Sequence, residues 1–246
     1  MTEIAEDKAP PVASPSWSCS AFELTTVGEE QSVMAIASSS ANDTDALIDL
    51  CKSLPYQKAE GGNPYPGHRA NMPRAYTRQL VEHLHRILPE FSYSAASVIK
   101  PLFSAASVVT TPGKKLTLAQ RFPHFDSPEP DHFAVMHYLH GPVSWGTSFF
   151  KHVATGFERI SKDRVEAYQI QLLKGIQSHG RPEAKYHNND TPLFRRIESF
   201  QADAGRLLVY PASILHSGTL PDSGPDPTNP NEHRLTINSF FKIQDG

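Results

Sequence analysis

The stretch Arg234-Leu235-Thr236-Ile237-Asn238 alternates polar and apolar side chains. Side chains two positions apart point to the same face of a β-strand, so Arg234, Thr236 and Asn238 share one face and the two apolar residues share the other. A polar face inside a sheet is costly unless it lines a pocket. The stretch therefore predicts a strand over 235–242 with one side turned toward a cavity.

Working outward from this strand, short apolar runs bounded by turn residues recur along the chain. The region 22–37 is strand-like, and further strands are predicted at 97–109, 116–122, 133–139, 147–153, 194–200 and 206–210. Helices are predicted at 46–54, 74–88 and 163–175, and loops at 61–67 and 222–232. Short strands with helices before and between them predict a mainly β fold, a double-stranded β-helix (jelly roll) with flanking helices.

The length of 246 residues and the hydrophobic fraction of 39% suit one domain with a sizeable core. Residues 1–20 are acidic and then rich in Pro, Ala and Ser, which predicts a disordered N-terminal tail. Residues 21–246 are predicted to form a single domain. Helical and strand additions occupy 21–95, and the core that carries the site occupies 96–246.

Composition argues against several classes of protein. The net charge is −3 with no basic block, so a nucleic-acid partner is not expected. The chain has only two cysteines, which fits a reducing compartment. No basic-then-apolar leader and no apolar run of membrane-spanning length is present in the sequence. We expect a cytoplasmic protein without a membrane partner.

Three side chains of metal-binding type stand out. His124 and Asp126 are two positions apart, which on a strand directs both to the same face. His216 comes much later, after the predicted turn and strand of 205–211. Two histidines and one carboxylate can fill one face of an octahedral Fe(II) ion and leave the other face open. We predict these three residues as metal ligands and as the catalytic residues.

Arg234 follows His216 at the start of the last predicted strand. A guanidinium group binds carboxylates through two parallel hydrogen bonds, so Arg234 is a candidate to hold the far carboxylate of a keto acid. The alternative is a surface arginine that begins a strand, and taken without the other motifs that alternative is the commoner one.

Residues 116–242 resemble the 2-oxoglutarate/Fe(II)-dependent dioxygenases, and among them the prolyl-hydroxylase-like branch, most closely a small, little-characterised bacterial subgroup. In that branch a Y-L-N stretch follows the H-x-D pair, and here Tyr138-Leu139-His140 matches it with His140 as a departure. A G-G-x-T-x-F-type run is matched with Trp145 in place of the first glycine. The resemblance rests on His124-x-Asp126, Tyr138-Leu139, 146–150, 205–211, His216 and Arg234-x-Thr236.

The resemblance implies a set of roles. His124, Asp126 and His216 would bind Fe(II), while Arg234, Tyr138 and Thr236 would bind 2-oxoglutarate, with O₂ as the other co-substrate. The implied activity is hydroxylation of an unactivated C–H bond in a small-molecule or amino-acid-like substrate, with release of succinate and CO₂. The Asp126 carboxylate favours hydroxylation, or a desaturation or epoxidation variant, over halogenation because halogenating relatives lack it. The oligomeric state stays open, and a homodimer is allowed.

Two other functions remain open from the sequence. A non-catalytic, cupin-like jelly-roll binding module would keep the shape without the chemistry, although the intact ligand set argues against it. A metal dioxygenase or isomerase without a co-substrate would have no need of Arg234 and Tyr138. Strand parity places His132 and His140 on the face of Tyr138, so either can line the pocket, and His137 on the opposite face. The role of 179–192 is also open.

Overall fold

The computed structural model describes residues 14–58, 65–226 and 233–245. The first 13 residues of the predicted tail, and parts of the two predicted loops at 61–64 and 227–232, lie outside these ranges. Within the described residues, no helix is both long enough and apolar enough to span a membrane.

Strands dominate the described residues. The helices are α1 (Ala41–Lys52), α2 (Arg74–Leu84) and α3 (Val165–His179), with 3₁₀ turns at His85–Phe91, Gly113–Lys115, Ala119–Arg121 and Lys162–Arg164. The strands are β1 (Glu23–Val27), β2 (Ser32–Ser38), β3 (Gln57–Lys58), β4 (Gly67–Asn71), β5 (Val98–Val109), β6 (His132–His140), β7 (Thr147–His152), β8 (Phe194–Phe200), β9 (Arg206–Pro211), β10 (His216–Gly218) and β11 (Leu235–Gln244). The prediction of a mainly β protein is confirmed.

The strands form two antiparallel sheets. The larger sheet has the order β1-β2-β9-β6-β11-β5-β4-β3, and the smaller has the order β10-β7-β8. The predicted final strand, β11, is central in the larger sheet, where Thr236 lies opposite Tyr138 of β6 and Ser107 of β5. The polar face of β11 is therefore inside the protein and not at an edge.

The larger sheet has a different layer on each face. On one face Leu47 of α1 and Leu80 of α2 pack with sheet residues such as Ile237 in the largest apolar cluster. On the other face Tyr138 and Leu208 belong to a second cluster that includes Phe149 of the smaller sheet. The alternation along β11 thus separates a helix-facing side from a side that faces the smaller sheet and the site.

Two predictions are wrong. The segment 116–122, predicted as a strand, is a turn with a short 3₁₀ segment. Local side-chain hydrogen bonds to the backbone stabilise the turn: the Gln120 side chain accepts from Thr117 N at 2.8 Å, and the Arg121 guanidinium donates to Leu116 O. The end of the predicted disordered tail is ordered: Trp17 is 4% exposed and stacks on Tyr76 with ring centroids 5.3 Å apart. One large aromatic side chain is enough to anchor a segment whose composition is otherwise that of a tail.

Candidate metal centre

Backbone hydrogen bonds bring the predicted metal ligands together. His124 and His216 pair as an isolated antiparallel bridge, in which His124 N donates to His216 O at 2.9 Å and His216 N donates to His124 O at 2.8 Å. Ala212 O accepts from Asp126 N at 2.8 Å and from Ser127 N at 3.1 Å. These main-chain hydrogen bonds thus fix the backbone positions of all three predicted ligands.

The ligand atoms of His124, Asp126 and His216, here called the metal triad, all lie within 4.8 Å of one another. His216 Nε2 is 3.5 Å from Asp126 Oδ2, and His124 Nε2 is 3.9 Å from Asp126 Oδ1. Two imidazoles and one carboxylate are a donor set that suits a divalent first-row metal such as Fe(II). The residues present therefore fit the metal that the sequence implies.

The surroundings of the triad favour the metal-binding forms of both histidines. His216 Nδ1 lies 3.0 Å from Ile214 O, so an Nδ1–H donor there leaves the Nε2 lone pair directed at the triad. The His124 side chain is 48% exposed to the adjoining cavity, yet desolvation by the surrounding protein, with the charges of His216 and Arg69, lowers its pKa to about 3. Burial raises the pKa of Asp126, and the positive charges of His216 and Arg69 oppose that rise. A bound divalent cation favours the ionised carboxylate.

A cavity of about 850 Å³ adjoins the triad. This volume lies in the range of small-molecule sites, which are mostly apolar with a few fixed polar groups. Its walls are largely apolar, and its polar and aromatic lining includes Tyr65, Arg69, Phe103, Tyr186, Tyr210 and Arg234. Tyr210 also packs edge-on against the His216 ring with centroids 5.2 Å apart, which restricts the orientation of this ligand.

Arg234 is buried in the cavity wall, with 3% of its surface exposed. Its Nε donates to Trp145 O at 2.6 Å, and its Nη2 donates to Gly146 O at 3.3 Å and Thr147 Oγ1 at 3.5 Å. Within the described ranges, no carboxylate forms an ion pair with Arg234, and its hydrogen bonds use Nε and Nη2 and not Nη1. A buried guanidinium in this state is ready to bind an anion.

The other predicted cofactor residues lie behind the cavity wall. Tyr138 is 1% exposed, its hydroxyl donates to Thr147 Oγ1 at 2.6 Å, and its ring lies under the Arg234 guanidinium at 5.3 Å. Thr236 is fully buried and donates to Asn238 Oδ1 at 2.7 Å. Neither side chain lines the cavity, whereas Thr147 and Asn238 do. Tyr138 therefore supports the arginine, and Thr236 supports Asn238.

The histidines left open by the sequence are now placed. His132 lines the cavity and contacts Ser127 Oγ through Nδ1 at 2.7 Å, while His140 is exposed at the end of β6. His137 points to the helix layer, where its Nδ1 lies 3.1 Å from the hydroxyl of Tyr76. The strand parity predicted for this region is correct.

Several cavity residues were missed from the sequence. Tyr186, from the segment 179–192, closes one wall, and its hydroxyl donates to Thr111 O at 2.7 Å. Arg69 enters from β4 beside a glycine- and proline-rich loop. Neither residue belongs to a motif, and only strand pairing or loop docking brings them to the site, so no local sequence signal identifies them.

Comparisons with known proteins give the following similarities. No curated protein sequence matches the chain. Among solved structures, it is similar to the non-heme alpha ketoglutarate dependent epimerase SnoN from nogalamycin biosynthesis (12% identity, 85% of this chain and 78% of that chain, TM-score 0.47). It is also similar to HygX from Streptomyces hygroscopicus, with nickel and 2-oxoglutarate bound (10% identity, 87% of this chain and 84% of that chain, TM-score 0.47). A third similar structure is the non-heme alpha ketoglutarate dependent carbocyclase SnoK (12% identity, 87% of this chain and 80% of that chain, TM-score 0.49). Residues 19–241 match the Family of unknown function (DUF6445), and the chain belongs to that family.

Proposed function

We propose that this protein is a non-haem Fe(II)- and 2-oxoglutarate-dependent oxygenase. It hydroxylates an unactivated C–H bond of a small-molecule or amino-acid-like substrate and releases succinate and CO₂. One observation carries the proposal: the metal triad lines the same cavity as a buried arginine that no carboxylate of the described residues pairs with. The triad alone would suit several metal enzymes, and Arg234 adds the requirement for an anionic co-substrate.

Each residue has a defined task in this proposal. His124, Asp126 and His216 hold Fe(II), which together with 2-oxoglutarate and O₂ supplies the oxidation of the C–H bond. Arg234 binds the distal carboxylate of 2-oxoglutarate through its Nη1 group, for which the described part of the chain offers no acceptor. The Tyr138 ring packs against the face of the guanidinium, and Thr147 Oγ1 accepts from its Nη2, so the two residues fix the guanidinium plane. The apolar walls of the cavity exclude water from the reacting groups.

The proposal extends to the finer features predicted from the sequence. The two antiparallel sheets are assigned as the double-stranded β-helix, within a single domain over 21–246, and the enzyme is placed in the prolyl-hydroxylase-like branch. It acts in the cytoplasm on a small molecule, without a nucleic-acid or membrane partner. The proposal does not depend on whether the protein is a monomer or a homodimer.

The test is the weak visible charge-transfer band that a keto acid gives when it chelates Fe(II). Anaerobic, Fe(II)-loaded protein should show this band when 2-oxoglutarate is added, and His216→Ala should abolish it. His140→Ala is the matched control, because His140 is exposed outside the cavity, and it should keep the band. Bound iron without a band in the wild-type protein would contradict the 2-oxoglutarate assignment. A protein that binds no iron would instead be a binding module.

A further inference from the structure

Arg69 is a second arginine of the same cavity, and the proposed reaction of iron and 2-oxoglutarate gives it no task. It lies on β4, opposite Ser107 of β5. Its guanidinium carbon is 4.1 Å from the centroid of the Tyr65 ring and 5.2 Å from that of Phe103. The two rings hold the guanidinium in place without neutralising its charge.

The charge of Arg69 has no close partner. No aspartate or glutamate of the described residues forms an ion pair with Arg69, and its Nε is buried without a hydrogen-bond acceptor. Desolvation lowers the pKa of Arg69, which shows that the protein disfavours the charge at this place, and the more distant Asp126 opposes the effect. A partly buried cation of this kind costs free energy until an anion binds it, and a planar guanidinium suits a carboxylate.

Arg69 and Arg234 line the same cavity but are held by different residues of its wall. The Arg69 guanidinium lies against the Tyr65 and Phe103 rings, whereas the Arg234 guanidinium donates to Trp145 O, Gly146 O and Thr147 Oγ1. Arg69 lines the same cavity as His124, Asp126 and His216. It is therefore a cationic group that a primary substrate can reach from within this cavity.

The surroundings of Arg69 describe the rest of the ligand. The cavity wall beside it is apolar and aromatic, with Leu102, Phe103, Phe133, Met136 and Phe240. Phe103 and Phe240 form a ring pair with centroids 5.9 Å apart. Such a wall binds an apolar body and gives no hydrogen bonds to a strongly polar one.

We propose that Arg69 binds a carboxylate of the primary substrate, so that the substrate is a carboxylic acid with an apolar body. This inference rests on the proposed function, because it assigns the second arginine only after Arg234 is assigned to 2-oxoglutarate. The enzyme would then hold two carboxylates at once, one from each substrate, with the apolar body of the primary substrate lying against the Phe103 side of the cavity.

The test compares 3-phenylpropionate with its neutral analogue 3-phenylpropionamide. Both are titrated into protein loaded with Ni(II) and saturated with 2-oxoglutarate, and the Kd is measured by ligand-observed NMR. The wild-type protein should bind the acid at least tenfold more tightly than the amide. Arg69→Met should abolish this preference, and Arg78→Met, at an exposed position of α2, should keep it. The Kd for 2-oxoglutarate should stay within twofold in all three proteins.

Three results would overturn the inference: equal or undetectable binding of acid and amide by the wild-type protein, an acid preference that survives Arg69→Met, or a tenfold weaker binding of 2-oxoglutarate in that variant. The last result would assign Arg69 to the co-substrate. Arg69→Met should keep the wild-type Tm because the substitution removes an unpaired charge. If the Arg69→Met protein does not fold, Arg69→Gln is measured in its place. If the wild-type protein binds no 2-oxoglutarate, the proposed function fails, and the acid and amide comparison still decides whether Arg69 binds a carboxylate.

Discussion

The Arg234→Lys substitution measures what the guanidinium contributes to 2-oxoglutarate binding. In the structure Nε donates to Trp145 O and Nη2 donates to Gly146 O and Thr147 Oγ1, and the proposed function assigns Nη1 to the ligand. A lysine ammonium has no planar fork, so it cannot keep these acceptors and also donate in-plane to a carboxylate. The loss of one charge-assisted hydrogen bond costs about 1.5–3 kcal/mol. This corresponds to an affinity for 2-oxoglutarate that is roughly 10- to 150-fold weaker.

The assay is isothermal titration of 2-oxoglutarate into Ni(II)-loaded protein, since Ni(II) does not support turnover in air. Arg195→Lys is the matched control because Arg195 is exposed on β8, and it should leave the Kd unchanged. The Tm of both variants is measured by calorimetry to exclude unfolding. A Kd within twofold of the wild-type value in folded Arg234→Lys would refute the assignment of Arg234 to the distal carboxylate.

Three further predictions concern the metal triad, a buried histidine and a buried carboxylate. Asp126→Ala should reduce the rate of Fe(II)-dependent succinate formation by about 100-fold or more. The control Asp49→Ala, on the exposed side of α1, should keep the wild-type rate. Equal rates in the two variants would exclude Asp126 as a metal ligand. His137 is fully buried, and burial together with the charge of His83 holds its pKa at about 3, against about 6.5 in an unfolded chain. Between these values the unfolded state binds more protons, so the free energy of unfolding should fall by up to about 1.4 kcal/mol per pH unit as the pH drops from 6.5 toward 3. Urea denaturation should show a flatter pH profile in His137→Gln, and an unchanged slope would contradict this. The Glu158 carboxylate is fully buried and accepts from Glu29 N and Glu30 N, both at 3.0 Å. Glu158→Gln should cost about 2 kcal/mol and lower the Tm by roughly 4–8 °C, with Glu23→Gln neutral; a loss below about 1 °C would show that these bonds contribute little.

Local pattern predicted most of the longer strands and brought out the three candidate metal ligands, but it missed β3, β4 and β10. Alternation in 234–238 is set by which face of a strand is buried, and the pairing of Thr236 with Tyr138 places that face as expected. The spacing of His124 and Asp126, with a distant His216, predicted three side chains that the structure brings within 4.8 Å of one another. Such features depend on strand geometry, which a short stretch of sequence specifies.

Features that depend on tertiary contacts were not predictable. Arg69 reaches the cavity because β4 pairs with β5, and Tyr186 reaches it because Asn188 holds its segment by accepting from Leu220 N at 3.1 Å. The order of the chain around Trp17 depends on a pocket formed by distant helix residues. These contacts join parts of the chain that no periodicity relates.

The backbone bridge between His124 and His216 separates folding of the protein from loading of its metal. Four main-chain hydrogen bonds already position the segments that carry the triad, so the ion is not required to assemble them. In small zinc domains, by contrast, metal binding supplies the free energy of folding, and a chelator unfolds the protein. Here chelation should yield a folded apoprotein that can be reloaded.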